Sequence, residues 1–294
     1  MTRFLVTGAS GQFGRLVLDS LLASGRLAPG DLVAATRDPG KLSAYADRGV
    51  TVRPIDFDRE ETLAAGFDGI DTALIISTDA LGEEGKRLGQ HRRAVAAAAK
   101  AGLRRLLYIS LPNAENSAVS FAPDHLGTEA AIKASGLAYT ILRNSWYMEN
   151  LFMSLPAALA SGQWYSAAGD GRIPYVARAD LAAAAAGAML TDPGRNDILT
   201  LTGPVSYTVS DVAALVSEAT GKPLSVVPVT DEQLAEGMAA GGVPAPFIPT
   251  LVSFDRAARL GQFDVVTGDV ERLSGRKPQS LAAFLQGNKG AFGG

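Results

Sequence analysis

Three glycines recur at three-residue spacing in Thr7-Gly8-Ala9-Ser10-Gly11-Gln12-Phe13-Gly14. That spacing suits contact with a phosphate. Gly8 allows a tight turn, Gly11 lets a pyrophosphate approach the backbone, and Gly14 lets a helix lie close on a strand. The loop N–H groups, from Ser10 through Gln12 and Phe13, then face negative charge at the positive end of a helix dipole. The apolar run Phe4-Leu5-Val6 precedes the loop, and Phe13, Leu16, Val17 and Leu21 share one helical face after it. Strand, glycine turn and helix in this order are the first turn of a dinucleotide-binding fold.

The next chemistry lies at strand ends. The second apolar run finishes Ala34-Ala35-Thr36-Arg37. A cation there suits the 2′-phosphate of NADP, whereas an acid would hold the ribose hydroxyl of NAD. Arg37 offers a planar fork and Lys41 a second cation, although Asp38 is also within reach of the ribose and a surface charge is common at such a place. NADP(H) is the expected cofactor. Asp56 and Phe57 either meet the adenine or form a strand-ending turn. Ser77 and Thr78 fall near the middle of the cofactor, and Ser110 near the nicotinamide.

Proton chemistry is less directly encoded. None of the seven tyrosines has a lysine four positions on, so no tyrosine general acid is activated in that way. At the corresponding place the chain reads His125-Leu126-Gly127-Thr128-Glu129, which sets His125 and Glu129 on one helix face. They form either a polar pair near the nicotinamide or a surface ion pair in a helix turn. Next comes Leu142-Arg143-Asn144-Ser145-Trp146-Tyr147-Met148-Glu149-Asn150. Asn144 is placed to bond the carboxamide or ribose. Trp146, Tyr147, Met148 and Phe152 form either a platform for a flat aromatic substrate or the core of a second lobe. Tyr147, His125 or a water is left as the proton source.

These residues need a frame to hold them. Strands are predicted at 3–7, 31–37, 51–55, 71–77, 105–110 and 138–143, with helices near 12–24, 40–48, 59–66, 83–101 and 124–135. The alternation predicts an α/β fold, a Rossmann-type doubly wound parallel sheet with helices on both faces. After residue 145 the rhythm breaks. A helix is expected at 149–160, a strand at 172–178, a helix at 179–190 and a strand at 198–202. Beyond them a helix at 209–220, a strand near 224–229, Pro/Gly-rich loops at 241–249 and an amphipathic segment at 278–287 are expected, with a loose tail from Gly287 to Gly294. The domain reading is a nucleotide-binding domain over 1–150 with a returning segment at about 172–203. A smaller substrate lobe at 151–171 and 204–294 covers the mouth of the site.

Composition excludes several alternatives. The 294 residues are 47% hydrophobic and 19% charged, with net charge −3, and carry no basic stripe, so no nucleic-acid partner is expected. With no cysteine and two histidines, thiol chemistry is excluded and no metal site is expected. No apolar stretch suits a bilayer, and the chain opens on a strand without a leader pattern, so a cytoplasmic location is expected. Helix 83–101, charged and alanine-rich, serves either as a homodimer interface or as a packed helix.

Taken together, Thr7–Gly14, Arg37-Asp38-Pro39 with Lys41, Gln90-His91-Arg92, His125 with Thr128-Glu129, Leu142–Asn150, Ala167–Gly171 and Ala177–Asp180 resemble the NmrA-like branch of the atypical short-chain dehydrogenase/reductase family. The likeness is nearest to its bacterial NADPH:quinone oxidoreductases, with triphenylmethane reductases close by. It implies NADPH at the sheet edge and an aromatic acceptor beside the nicotinamide. It also implies a second reading, a non-catalytic regulator that senses NADP(H), and leaves open reduction of an aromatic ketone, imine or ether. Hydride transfer to a ketone makes a strongly basic alkoxide, which needs a good acid. A quinone yields a phenolate-like oxygen whose conjugate acid has a pKa of about 10, by analogy with tyrosine. A site without an activated tyrosine therefore suits quinones, and works mainly by orientation.

Overall fold

Runs of buried apolar residues make the sheet. The computed structural model describes residues 2–191 and 194–292. Its strands are β1 (Phe4–Val6), β2 (Leu32–Thr36), β3 (Thr51–Pro54), β4 (Thr72–Ile75), β5 (Arg105–Ser110), β6 (Ala138–Asn144), β7 (Gln163–Ser166), β8 (Asp197–Leu201) and β9 (Ser225–Pro228). Seven of them form one all-parallel sheet in the order β3-β2-β1-β4-β5-β6-β8. The order in which strands are added reverses between β1 and β4, the switch point at which an open parallel sheet holds its ligand. The strands β2, β4 and β5 are buried throughout, as strands covered on both faces must be.

The helices are α1 (Gln12–Ala23), α2 (Ser43–Ala46), α3 (Glu60–Phe67), α4 (Lys86–Lys100), α5 (Ala122–Ala134), α6 (Leu155–Ser161), α7 (Arg178–Leu190), α8 (Val209–Thr220), α9 (Asp231–Ala240), α10 (Ile248–Arg259), α11 (Asp269–Ser274) and α12 (Leu281–Gly287). Helices α1 and α7 cover one sheet face with α11 behind them. Helices α3, α4 and α5 cover the other. Helix α4 turns Ala94, Val95 and Ala98 into that layer, so its apolar side is packed within the chain. After β6, β8, α7 and α11 return to the main sheet, while the remaining segments, with Leu111, Val119 and Ala122, build a second core that includes the two-stranded parallel sheet β7-β9. No helix among the described residues is long and apolar enough to cross a membrane.

Several expectations need correction. Segment 172–178 is not a strand: it makes only single bridges, Tyr147 to Val176 and Ile173 to Tyr207. The expected helix at 149–160 is split into a 3₁₀ turn (Met148–Met153) and α6, because Pro156 cannot continue a helix from below but suits the first turn of a new one. The proline-rich stretch at 241–249 opens α10 for the same reason. Strand β7 and helix α9 had no strong periodicity to announce them. The tail is ordered as far as Phe292, which is buried and stacks on Phe152 with ring centres 4.9 Å apart. Gly293 and Gly294 lie outside the described residues.

Candidate active site

The loop after β1 forms one wall of a groove of about 530 Å³ at the carboxyl ends of the strands. Gly8 sits at φ +60°, which a side chain would strain. A Cβ on Gly14 would lie 2.4 Å from the Gly8 carbonyl oxygen, so helix and turn fit only around glycine. Gly11 caps α1 without a side-chain partner, and the first turn of α1 holds no acidic residue. That leaves helix-start N–H groups and a positive dipole end for an anion. Ser10, Gln12, Phe13, Arg37, Asp56, Phe57, Ser77 and Thr78 line the same groove, together with Thr36 and Gln90. A loop bonded from Ser10 Oγ to Thr36 Oγ1 (2.8 Å) ties the glycine turn to β2. Lys41 is exposed and stands outside this lining; its carbonyl instead accepts from Arg15 Nη2 at 2.6 Å. Asp38 is turned from the groove's task, because its carboxylate accepts the Gly40 N–H (3.1 Å).

The Ser77-Thr78 wall is held by one face of α4. Thr78 donates its N–H to His91 Nε2 (3.0 Å) and its hydroxyl to Gln90 Oε1 (2.7 Å), and its carbonyl accepts from Arg87 Nε (2.8 Å). This explains why Gln90-His91 belongs to the recognised pattern: both residues hold the wall in place. The bond from Thr78 N–H makes His91 Nε2 an acceptor, so its proton sits on Nδ1, 2.9 Å from Thr128 Oγ1.

A second pocket of about 270 Å³ adjoins the groove at Ser77, which lines both. Ser110, Asn144, Trp146, Tyr147 and His125 line it, as the sequence suggests. So do Arg87, Phe121, Asn150, Met153, Phe254 and Phe263, most of which sequence reasoning missed. Phe254 and Phe263 come from the last third of the chain, where no motif marked them. Tyr147 is half-buried; its ring stacks on Phe13 at 6.2 Å and lies beneath Arg178. Asn144 Nδ2 donates to Tyr147 Oη at 3.3 Å, leaving the phenol hydrogen free to donate. Burial pushes the Tyr147 phenol above its ordinary pKa, against the lowering effect of the Asn144 bond. The buried Asn144 Oδ1 and Ser145 Oγ have no hydrogen-bond partner among the described residues, and such orphans call for a ligand or water.

Three expected site residues take other roles. Glu129 is fully buried, accepting from Ser110 Oγ (2.7 Å) and from Arg143 Nε and Nη2 (2.9 and 2.6 Å). It braces β5 and β6 beneath the pocket, is absent from the groove lining, and does not pair with His125. Met148 is fully buried core. Phe152 packs on Phe284 and Phe292, away from the pocket. His125 reaches the pocket with both nitrogens committed. Arg87 Nη2, which can only donate, lies 2.9 Å from His125 Nε2, so the ring proton sits on Nδ1, 2.8 Å from Tyr108 Oη. Burial, with Arg87 beside it, holds the His125 pKa well below the usual histidine value. A neutral ring so bonded has no proton to give to a substrate.

The two histidines make stability pH-dependent. Burial and the nearby Arg87 push His91 down to about 3. Unfolded, each ring takes a proton near pH 6.5. Below that pH the unfolded chain binds more protons, so stability is full above it and falls as pH drops, by up to about 1.4 kcal/mol per pH unit for each histidine. Melting temperature is therefore expected to fall between pH 7 and pH 5. His91→Gln should reduce that slope, and an unchanged slope would rule out His91 as a source.

A family model described as NAD(P)H-binding matches residues 8–193. The chain belongs to the NAD(P)H-binding family. It is 34% identical over 277 residues to quinone oxidoreductase 2 of Escherichia coli K12, covering 94% of this chain and 95% of that one. The structure of the E. coli enzyme complexed with NADPH superposes with a TM-score of 0.91, over 97% of this chain and 99% of that chain. The Citrobacter sp. triphenylmethane reductase matches at a TM-score of 0.90 and 31% identity, over 98% and 99% of the two chains. An NmrA-like oxidoreductase of Aspergillus flavus is 30% identical, over 94% of this chain and 91% of that protein. The chain is thus an NmrA-like oxidoreductase of the NAD(P)H-binding family.

Proposed function

We propose that the protein reduces a quinone, or a similar conjugated aromatic acceptor, with NADPH, by direct hydride transfer. The observation that supports this most is the small aromatic pocket, continuous with the nucleotide groove at Ser77 and built from Trp146, Tyr147, Phe121 and Phe254. NADPH, when bound, supplies the hydride. Arg37, at the far end of the groove, takes the 2′-phosphate. The glycine turn takes the pyrophosphate, and the unpartnered Asn144 Oδ1 accepts from the carboxamide. Trp146 and Tyr147 hold the flat acceptor, so catalysis comes mainly from orientation.

Charge is handled by Arg87. The residue is 4% exposed, borders the acceptor pocket and stays ionised, although burial lowers its pKa; the Asp124 carboxylate stands 3.7 Å from its Nη1. A fixed buried cation favours the negative oxygen that forms as the acceptor takes up hydride. The resulting phenolate-like oxygen then takes one proton from water, either directly or through Tyr147, which solvent reprotonates; such an oxygen demands no strong acid. Arg87→Gln is expected to lower kcat with a quinone about a hundredfold, and Arg87→Lys to recover most of it. Equal losses in both variants would reduce Arg87 to a brace for Thr78.

The direct test is NADPH consumption with benzoquinone, a naphthoquinone and a plain aromatic ketone, repeated with NADH. Rapid reduction of the quinones by NADPH and slow reduction of the ketone are expected. Preference for the ketone would reveal an acid other than Tyr147. Tight NADPH binding with no turnover would favour a nucleotide sensor.

A further inference from the structure

Behind the acceptor pocket lies a larger cavity of about 690 Å³, built by the segments after β6. It shares Trp146, Asn150, Met153 and Phe254 with the acceptor pocket. The two spaces therefore share a wall. Trp146 and Phe254 form the partition, edge to face with ring centres 4.1 Å apart. Met153, at the common wall, is 67% exposed and unbranched, so it can swing without disturbing a packed neighbour.

The far cavity is apolar. Leu151, Ile173, Val209, Leu234 and Met238 line it, with Trp164 and Tyr175. No lysine or arginine lines it, and its one charged residue is Asp255. That carboxylate already accepts from Ser166 Oγ (2.8 Å) and the Ala167 N–H (2.7 Å), and burial raises its pKa. Its other polar side chains, among them Asn150, Ser154, Gln163 and Gln233, are neutral, so no cation there meets an anion or a phosphate. Its volume falls in the range of sites that enclose a whole drug-sized molecule, whereas the acceptor pocket alone suits one compact ring system.

We infer that this cavity is a subsite for a long apolar substituent carried by the acceptor, so that the substrate class is a lipophilic quinone or comparable conjugated carbonyl compound. The reactive ring occupies the pocket beside Ser77, and its substituent passes Trp146 and Met153 into the space behind. The inference rests on the acceptor pocket proposed above, and deepens it by naming what the acceptor carries.

Two features make the subsite testable on its own. The chain has two tryptophans; Trp146 lines both spaces and Trp164 this cavity, so the part of an emission change that depends on chain length reports its occupation. Gly237 also lines it, on α9, and a Cβ there would meet nothing within 4 Å. A larger side chain is admitted at that position without backbone conflict.

The experiment measures kcat/KM for benzoquinones bearing no substituent or alkyl chains of increasing length. It is paired with titration of tryptophan emission by a redox-inert alkylphenol of the same chain lengths. The wild type should gain about fourfold in kcat/KM per methylene until the cavity is full, and its emission should shift saturably. Gly237→Phe should flatten both dependences while the unsubstituted quinone is reduced as before. A chain-length-independent kcat/KM, with the unsubstituted quinone reduced normally, overturns the subsite and leaves the quinone reading standing. If no quinone is reduced at all, the emission titration decides: a saturable, length-dependent shift lost in Gly237→Phe supports the subsite, and no shift overturns it.

Discussion

Arg37→Ala is expected to raise the Kd for NADPH about tenfold to a hundredfold while changing that for NADH by less than about twofold. The magnitude is that of a charge-assisted hydrogen bond to phosphate. The selectivity follows from what surrounds Arg37. It follows β2 and lines the groove, where a second acidic neighbour would ordinarily blur the choice between cofactors. Asp38 does not, because it stands outside the groove lining, with one carboxylate oxygen accepting from Gly40 N–H and its own N–H donated to Thr36 Oγ1 at 3.3 Å. Lys41 faces solvent outside the groove, so it offers little replacement for the lost guanidinium. The wild-type preference should also weaken at high salt, since the contact is exposed to screening. Calorimetric titration with both nucleotides at two ionic strengths measures this directly. Equal loss of affinity for NADPH and NADH would mean that Arg37 supports the loop rather than reading the 2′-phosphate.

The nucleotide half of this site was legible because its chemistry is backbone chemistry. A glycine turn, a strand end and a small polar pair occupy fixed places in a parallel sheet, and Gly8, Arg37, Asp56 and Ser77 all reach the groove that the pattern implies. The acceptor half was legible only in part. Trp146 and Tyr147 line the pocket, yet Met148 and Phe152, equally bulky and near in sequence, pack into the second core without reaching the pocket. A 3₁₀ turn from Met148 to Met153 separates them, and its rotation is not encoded by residue type. Phe254 was hidden for another reason: α10 begins in a proline-rich stretch, and its placement depends on packing with segments far away in the chain. His125 and Glu129 illustrate the same limit. Sharing a helix face brought neither to the other, because Arg87 and Arg143 compete for them from neighbouring elements.

The glycine turn itself admits a sharper test, because its glycines are required for different reasons. Gly14→Ala is expected to destabilise the fold. The added Cβ would stand 2.4 Å from the Gly8 carbonyl oxygen and 2.7 Å from Ala9 Cα, and these are backbone atoms that have no rotamer to escape into. A cost of about 3 kcal/mol is reasonable for such overpacking, which for a chain of this size lowers Tm by roughly 5–10 °C. Gly11→Val should behave otherwise. Its Cβ meets only the Gly8 carbonyl oxygen, at 3.3 Å, a contact that a shift of a few tenths of an ångström relieves. The residue is exposed and lines the groove, so the side chain occupies the space that a pyrophosphate needs. Tm should fall by no more than a few degrees while affinity for NADPH and NADH falls together, by about a hundredfold or more, since pyrophosphate is common to both. Thermal melts and nucleotide titrations on the two variants separate these cases. If Gly11→Val bound nucleotide normally, the phosphates would have to lie away from the α1 N-terminus, and the helix dipole would lose its role in this site. If instead both variants melted alike, the turn would be a folding element first, and its glycines would record the closeness of α1 to β1 rather than the approach of a ligand.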